Sequence, residues 1–396
     1  MHILMMQFYS NAPAPDFHEM AVALRSWGHT VWVATPNAIG DLEWQDGEHT
    51  VAIQPGPARL PQSILRFHLL AKIATRLVNV WFMLRVRAFV RESGAEIVQV
   101  NPREYACVIT MFMPDRMRFV LDVRQPGEVA GDDLIGRLQN WKSRMRLRVN
   151  ASVFYDHACF ATEAAAHRIL GNRWSRWATV HRVGQDPSFL AYHWNDKDER
   201  KGPAPVSFIY VGTLSKVRRL EHVFSALKWL LSKTTDFHVD FVGPDEACGY
   251  YQTLIGQMGV GPVVTIKPPV PYREVPKLIA AYDVALAYVP PLPDWRYQPT
   301  LKVLEYRALG VPAIASDNEP NREVIQDGVN GLLIEDLVES LGEAMLRFIM
   351  DRDFLWRCKT NARSMRQGRT WSDSAKLYEQ AVYMRGRTDS ADERQF

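Results

Sequence analysis

Short apolar runs rich in β-branched residues alternate with amphipathic stretches along this chain, and the alternation occurs twice. Strands that alternate with helices predict a parallel sheet covered by helices on both faces. The segment 187–205 between the two series is polar and ends in Pro203-Ala-Pro205, so it has the composition of a linker. The β-like runs are 2–9, 30–35, 96–100, 119–123, 158–162 and 180–183, followed by 208–211, 239–242, 263–266, 284–288, 313–315 and 332–334.

The two series predict an α/β protein of two Rossmann-like domains, each with a doubly wound parallel sheet. A chain of 396 residues also exceeds the size that one hydrophobic core usually reaches. We expect an N-terminal, acceptor-side domain over 1–190 and a C-terminal domain over 206–374, with a helix at about 375–390 that packs back on the first domain. Ligands bind outside the carboxyl ends of such strands, so two facing domains would form a cleft.

Charge and cysteine spacing exclude several classes of protein. A net charge of +3 is too small for a chain that reads nucleic acid over a broad basic face. The four cysteines, at 107, 159, 248 and 358, form no Cys-x-x-Cys pair and no group with metal-ligand spacing, so we expect no metal. The N-terminus lacks the features of a signal peptide, and no run of about 18 apolar residues occurs. We therefore expect a cytoplasmic protein.

The segment 298–316 is the most informative part of the sequence. Pro299 is suited to the start of a helix, whose first free amides would belong to Thr300, Leu301 and Lys302. Such amides, with a lysine beside them, form a site for a diphosphate. Glu305 stands about one turn further on, and its carboxylate suits the paired hydroxyls of a ribose.

This segment resembles the C-terminal signature of the retaining family 4 glycosyltransferases of GT-B fold, in particular the bacterial branch that acts on polysaccharides and lipid-linked sugars. Further matches extend the resemblance over most of the chain; they lie at 184–186, 210–220, 241–244, 268–271 and 282–286. The resemblance implies transfer of a hexose-type sugar from a nucleotide-diphosphate donor, with retention, to a glycan or lipid-linked acceptor. It implies no cofactor besides the donor, and no Asp-x-Asp motif is present to hold a metal.

The resemblance also places the site residues. Arg218 occupies the position of the phosphate-binding lysine, with Lys216 and Arg219 beside it, although a solvated basic helix start is the alternative. Arg124, Arg218 and Glu305 are the predicted catalytic residues. The predicted nucleotide-sugar site comprises Gly212, Lys216, Arg218, Arg219, Gly243, Val270, Tyr297, Thr300, Leu301, Lys302 and Glu305.

Two positions depart from the family pattern. Tyr297 stands where the family has an acidic residue that contacts the donor sugar, eight positions before Glu305. Arg124 stands where the family often has a histidine, and pairing of Arg124 with Asp122 or Glu128 is an equally open alternative. A catalytically inactive relative that binds sugar nucleotides or serves as a scaffold therefore remains a second hypothesis, and a sugar-nucleotide epimerase a third.

Loops of the first domain are expected to hold the acceptor, and its candidate residues there are Asn11, Asp16, Asn101 and Arg124. Two basic stretches without acidic residues, 59–91 and 137–148, predict helices that lie on an anionic membrane. The alternative is a pair of helices that bury one face and solvate the other. The membrane hypothesis places the protein peripherally on the inner face of the plasma membrane.

Overall fold

The computed structural model describes residues 1–7, 15–34, 84, 86–101, 117–124, 134–194, 205–297 and 300–384. Of residues 7, 15, 16, 34 and 294 only the backbone is described. The chain forms two compact units: the first contains Met1–Gly184 and the C-terminal helices from Trp371 onward, and the second is Gln185–Thr370.

The first unit is built on a sheet of six parallel strands in the order β2-β1-β3-β4-β5-β6. Its register aligns His2 of β1 with Thr30 of β2, and Ile3 of β1 with Ile97 of β3. The strands are β1 His2–Gln7, β2 Thr30–Ala34, β3 Ile97–Asn101, β4 Arg118–Val123, β5 His157–Phe160 and β6 Ala178–Val180. The helices are α1 Pro15–Ser26, α2 Leu134–Val149 and α3 Glu163–Leu170, with a helical segment at 86–93, a π-helical turn Asn150–Phe154 and a 3-10 turn Trp174–Arg176.

The second unit has six parallel strands in the order β12-β11-β10-β7-β8-β9. The strands are β7 Val206–Val211, β8 Phe237–Val242, β9 Val264–Lys267, β10 Val284–Ala287, β11 Ala313–Ser316 and β12 Gly331–Ile334. The helices are α4 Pro187–Leu190, α5 Glu221–Leu231, α6 Tyr250–Met258, α7 Val275–Ala280, α8 Leu301–Leu309, α9 Glu319–Arg322, α10 Val338–Met350 and α11 Arg352–Ser364. Three 3-10 turns, Lys216–Arg218, Tyr272–Glu274 and Pro293–Tyr297, join them.

The strand order of the second unit is that of a doubly wound sheet, with its switch point between β7 and β10. Connections leave these two strands in opposite directions, so their loops diverge and leave space for a ligand at the carboxyl ends. Phe208 of β7 pairs with Val284 of β10 on one side and with Val239 of β8 on the other. The predicted α/β architecture of two doubly wound parallel sheets is confirmed.

The C-terminal helices pack on the first unit. α12, Trp371–Tyr378, and the π-helical turn Glu379–Tyr383 contribute Tyr378 and Tyr383, both fully buried, to the core that contains Ile3 and Phe17. This packing buries apolar side chains on one face of α1 that would otherwise be exposed to solvent.

Residues 187–194 differ from the linker that their composition indicates. Phe189 is fully buried in the core of the second unit, and the indole N–H of Trp194 donates to the carbonyl of Leu309 at 2.8 Å. Arg366 donates to the carbonyls of Phe189 and Leu190 at 3.1 and 2.8 Å. The polar run begins only at Asn195, so these residues keep enough apolar surface to pack on a domain, and the second unit begins earlier than predicted.

Candidate functional site

The N-terminus of α8 has backbone amides for which the described residues provide no acceptor within the helix. Thr300 is the N-cap, with an extended backbone and no capping bond from its side chain. Its carbonyl accepts the first bond of the helix, from the amide of Val303 at 3.1 Å. The amides of Leu301 and Lys302 belong to the first turn, which has no intrahelical acceptors, and the helix dipole favours an anion there. At the other end Gly310, at φ 82°, takes the left-handed conformation that ends the helix.

Lys302 places a covered cation beside these amides. Its ammonium nitrogen lies 3.6 Å from the ring centroid of Tyr210 and has no hydrogen-bond partner among the described residues. Burial holds the pKa of Lys302 well below its ordinary value, and the charge of Arg218 lowers it further, against the opposing effect of Glu305. The hydroxyls of Thr300 and Tyr210 are also buried without a partner in the described part of the chain. An anion would satisfy these groups at once.

Two glycines let the loops after β7 and β8 approach this lysine. A Cβ at Gly212 would lie 2.6 Å from Cε of Lys302, and one at Gly243 would lie 2.2 Å from the carbonyl oxygen of Gly212. Both glycines also have φ values, 144° and 156°, that other residues rarely adopt. The two predicted glycines therefore fix how closely the backbone passes the ammonium.

Arg218 adds a second cation near Lys302. It ends the 3-10 turn Lys216–Arg218, and its guanidinium carbon lies 4.6 Å from the ring centroid of Trp295. Burial raises the pKa of Tyr210 to about 12, and the charge of Arg218 opposes this rise. Arg218 is half-buried, so it differs from the solvated basic helix start that was the alternative.

The neighbours of Arg218 face other groups. Lys216 is exposed, with its ammonium 4.8 Å from the ring centroid of Tyr250 on α6. Arg219 is exposed and has φ 48°. Burial raises the pKa of Tyr288, at the end of β10, and the charge of Arg219 opposes this rise. The charge of Arg218 thus acts on Lys302, whereas Lys216 and Arg219 are exposed and have other neighbours.

Glu305 is a buried carboxylate on the second turn of α8, with 6% of its surface exposed. Its Oε1 accepts a hydrogen bond from the hydroxyl of Tyr272 at 2.5 Å. Burial raises the pKa of Glu305 to about 7, the hydrogen bond from Tyr272 and the charge of Lys302 oppose the rise, and Asp186 adds to it. Glu305 is therefore not the exposed helix carboxylate of the alternative interpretation.

The other predicted residues of this site lie around the same helix. Val270, which is half-buried, packs against the core that contains Val303, and Leu301 lies in the first turn of α8. Tyr297 ends the 3-10 turn Pro293–Tyr297 and is half-buried. Its neighbours Gln298 and Pro299 lie outside the described residues.

In the first unit, Arg124 follows β4 and donates to Oδ2 of Asp122 at 3.0 Å, which is the pairing that the structural alternative predicted. Arg124 also lines a small cavity with Trp371, whose indole N–H has no partner among the described residues. Asn101 is buried at the end of β3. Asn11 lies outside the described residues, and of Asp16 only its place in α1 is described.

Helix α2 exposes apolar and basic side chains together. It contains no acidic residue, and only Gly136, Ser143 and Leu147 are buried. The exposed fractions of Leu134, Ile135, Leu138, Trp141 and Met145 are 83, 66, 50, 53 and 38%. Arg137, Lys142, Arg146 and Arg148 on the same helix are exposed. Most of the other predicted basic stretch, 59–91, lies outside the described residues.

Part of the chain matches a known family. Residues 195–365 match the family described as glycosyl transferases group 1. This match covers less than half of the chain. A segment of 130 residues is 30% identical to EpsD of Bacillus subtilis strain 168, which is described as a glycosyltransferase, and this match spans about a third of either chain, 32%. Lys302, Arg218 and Glu305 all lie within the matched residues 195–365.

Solved structures similar to the whole chain have the GT-B fold. HepE of Anabaena, in complex with UDP and glucose, has a TM-score of 0.69 at 15% identity, with 97% of this chain and 99% of that chain covered. Sucrose-phosphate synthase of Thermosynechococcus elongatus has a TM-score of 0.71 at 15% identity, with 99 and 100% covered. WaaG, involved in lipopolysaccharide biosynthesis, has a TM-score of 0.69 at 16% identity, with 96 and 99% covered. At these identities the likeness shows the fold alone.

The structure adds three residues to the candidate site that the sequence did not single out: Tyr210, Tyr272 and Trp295. Each is an aromatic side chain that contacts a predicted charged residue, namely Lys302, Glu305 and Arg218 respectively. Tyr210 opens the matched segment 210–220, which was the one available signal.

Among the described residues, no group of His, Cys, Asp and Glu side chains is placed to hold a metal ion. Nor does any helix within the described ranges have the length and apolarity to cross a membrane.

Proposed function

We propose that the chain is a retaining glycosyltransferase that moves a hexose-type sugar from a nucleotide-diphosphate donor to a glycan or lipid-linked acceptor, in the synthesis of cell-surface polysaccharide or glycolipid. The observation that carries the proposal is the covered ammonium of Lys302, which has no partner in the described part of the chain and lies beside the opening amides of α8. The charge of Arg218 lowers the pKa of this lysine further, and a diphosphate that neutralised both charges would relieve this effect.

A diphosphate fits this place better than other anions. Its oxygens can accept from the backbone amides, the ammonium and the guanidinium at once, and a guanidinium can hold two phosphate oxygens. Glu305 lies about one turn along α8 from Lys302, and its carboxylate could accept from the hydroxyls of a ribose attached to the diphosphate. Support also comes from the HepE structure, which contains UDP and glucose.

The proposed chemistry is displacement at the anomeric carbon. The bond between that carbon and the diphosphate oxygen breaks, and its electron pair leaves with the diphosphate. The acceptor hydroxyl oxygen forms the new bond from the same face, and its proton passes to the leaving diphosphate oxygen. Lys302, Arg218 and the amides of α8 would stabilise the negative charge that grows on the leaving group, and donors fixed in advance contribute most to such stabilisation. The acceptor would be held by the first unit, with Arg124 and Asn101 as candidates there.

The decisive test is transfer by the purified protein. Radiolabelled UDP-glucose, GDP-mannose and ADP-glucose are each incubated with membrane extract as a source of acceptor, and labelled glycan or lipid is measured beside hydrolysis of the donor. Transfer or hydrolysis that Glu305→Ala lowers at least tenfold is the expected result. Donor binding by the wild type without any turnover would favour the inactive relative, in which Tyr297 replaces the acidic residue, and absence of both binding and turnover would refute the proposal.

We further propose that α2 places the protein on the inner face of the plasma membrane. An exposed stripe of large apolar side chains flanked by cations is the pattern of a helix that lies in the surface of an anionic bilayer, where each cation adds about 1 kcal/mol. On α2 the stripe starts at Leu134 and includes Trp141, and Arg146 and Arg148 follow it. WaaG, whose reported role is in lipopolysaccharide synthesis, has the same fold.

Co-sedimentation with vesicles of phosphatidylglycerol and phosphatidylcholine tests this proposal. The double variant Arg146→Glu/Arg148→Glu reverses two exposed charges on α2, and its vesicle affinity is expected to fall by at least tenfold. The matched control is Arg173→Glu/Arg176→Glu, which reverses two exposed charges in the same unit away from α2. Equal affinities of the two variants, or no binding of the wild type at low salt, would rule out docking through α2.

A further inference from the structure

Tyr272 connects a surface loop to the buried carboxylate of Glu305. Its hydroxyl donates to Oε1 of Glu305 at 2.5 Å, although the two residues are 33 positions apart in the chain. Tyr272 starts the 3-10 turn after β9, its ring lies 5.9 Å from the ring of the buried Phe189, and 42% of its surface is exposed. The ring is thus anchored on one side while the hydroxyl reaches into the site.

The carboxylate of Glu305 can accept more than this one bond. An ionised carboxylate has about four acceptor positions on its two oxygens. Among the described residues, the Tyr272 hydroxyl is the one group that donates to it. Two neighbouring hydroxyls of a ribose can therefore bind Glu305 while Tyr272 stays in place.

The charged and titratable groups around Glu305 come from three elements. Lys302 lies on the same helix, Asp186 lies just before α4, and Tyr272 lies in the loop after β9. Burial raises the pKa of Glu305, and Asp186 raises it too, whereas the Tyr272 hydrogen bond and the Lys302 charge lower it. Because a donated hydrogen bond stabilises the ionised form, Tyr272 favours the state that a ribose would bind.

We propose that Tyr272 is a positioning residue for the donor: its hydroxyl keeps the Glu305 carboxylate ionised and turned to accept the ribose hydroxyls of a nucleoside diphosphate sugar. This inference rests on the proposed function, because it needs a ribose at Glu305. It assigns to the loop after β9 a role in donor affinity that depends on pH.

Tyr272→Phe removes the hydroxyl and keeps the ring on Phe189. Donor affinity of the wild type should rise with pH through about pH 7, as Glu305 ionises. In Tyr272→Phe the midpoint of this pH dependence should move up by on the order of one pH unit. A shift of that size corresponds to the free energy of a hydrogen bond to a charged group. Affinity near pH 6 should then fall about tenfold, with a smaller difference near pH 9.

The experiment is calorimetric titration of the full chain with UDP-glucose, GDP-mannose and ADP-glucose, whose diphosphates do not take up a proton near neutral pH. The dissociation constant is measured from pH 5.5 to 9 for the wild type, Tyr272→Phe and Glu305→Gln, with Tyr192→Phe as the control. Tyr192 is in the same unit with its ring 5.5 Å from that of Trp194. Glu305→Gln should show no midpoint near pH 7.

The outcomes separate the two proposals. An upward shift of the midpoint in Tyr272→Phe, with Tyr192→Phe unchanged, is the result expected. If the wild type binds a donor and Tyr272→Phe has the same midpoint and the same affinity, the role of Tyr272 is wrong while the proposed function stands. If the wild type binds none of the three donors at any pH, the proposed function fails.

Discussion

Lys302→Met is expected to stabilise the second unit and to weaken anion binding. The ammonium of Lys302 is covered and has no hydrogen-bond partner among the described residues, and an unsatisfied donor costs about 1–3 kcal/mol. Its contact with the ring of Tyr210, at 3.6 Å, offsets roughly 0.5–2 kcal/mol of that cost. Methionine fills a similar volume without a polar group. The free energy of unfolding should therefore rise by about 1 kcal/mol, and Tm by about 2–4 °C.

The same substitution removes a charge-assisted hydrogen bond to the diphosphate, which is worth about 1.5–3 kcal/mol. The dissociation constant for a nucleoside diphosphate should thus rise roughly tenfold to hundredfold. Differential scanning fluorimetry measures both effects in one experiment. At a ligand concentration of about 100 times the wild-type dissociation constant, ligand stabilisation should fall from about 2.7 to about 0.4–1.4 kcal/mol.

Lys359→Met is the matched control, because it removes a buried lysine of the same unit whose ammonium has a partner. The ammonium of Lys359 donates to Oδ1 of the buried Asp283 at 2.9 Å. Although burial alone would raise the pKa of Asp283, Lys359 and the donors of Ser207 hold it below its ordinary value. Removing this cation leaves a buried carboxylate uncompensated, which costs about 3–5 kcal/mol. A loss of Tm in Lys302→Met like that in Lys359→Met, or an unchanged ligand effect, would refute the reasoning.

Three further predictions concern the same unit. Arg218→Ala should raise the dissociation constant for UDP-glucose about tenfold or more, with Tm nearly unchanged. Calorimetric titration of the variant and the wild type measures this, and equal affinities would contradict the prediction. Burial raises the pKa of Glu305 in the folded state to about 7 from 4.5. Glu305 therefore stabilises the fold fully below pH 4.5, and this stabilisation is lost as the pH rises through 7. Denaturant unfolding at pH 5 and pH 8 should show that Glu305→Gln removes about 3 kcal/mol of this pH dependence. Gly243→Ala should lower Tm by several degrees, because the new Cβ would lie 2.2 Å from a backbone oxygen. The control Gly256→Ala, inside α6 with open space around it, should stabilise the fold by about 0.5–1 kcal/mol. Equal effects of the two substitutions on Tm would contradict the close approach at Gly243.

Most of the fold could be predicted from the sequence because the signals for strands and helices are local. Strands that alternate with helices predict the two parallel sheets. The linker prediction included residues 187–194, since averaging over a long polar segment hides the apolar side chains of Phe189 and Trp194. Packing of these residues depends on partners more than 100 positions away, such as Leu309.

The candidate site was predictable in its charged residues and not in their contacts. Lys302, Arg218 and Glu305 follow from a helix start and a family pattern, which are both readable in one dimension. The aromatic contacts are not: Tyr272 is an exposed loop tyrosine whose contact with Glu305 exists only because the loop after β9 and α8 meet at the carboxyl edge of the sheet. Likewise, no local pattern shows that the ammonium of Lys302 has no hydrogen-bond partner among the described residues.

The central claim is that a diphosphate binds at the start of α8. A crystal structure of the protein with UDP-glucose, or with the tightest-binding donor of the three, tests it most directly. We expect the diphosphate oxygens within hydrogen-bond distance of the amides of Leu301 and Lys302 and of the Lys302 ammonium, with the ribose hydroxyls on Glu305. A diphosphate bound elsewhere in the chain, with the Lys302 ammonium still uncontacted, would contradict the account.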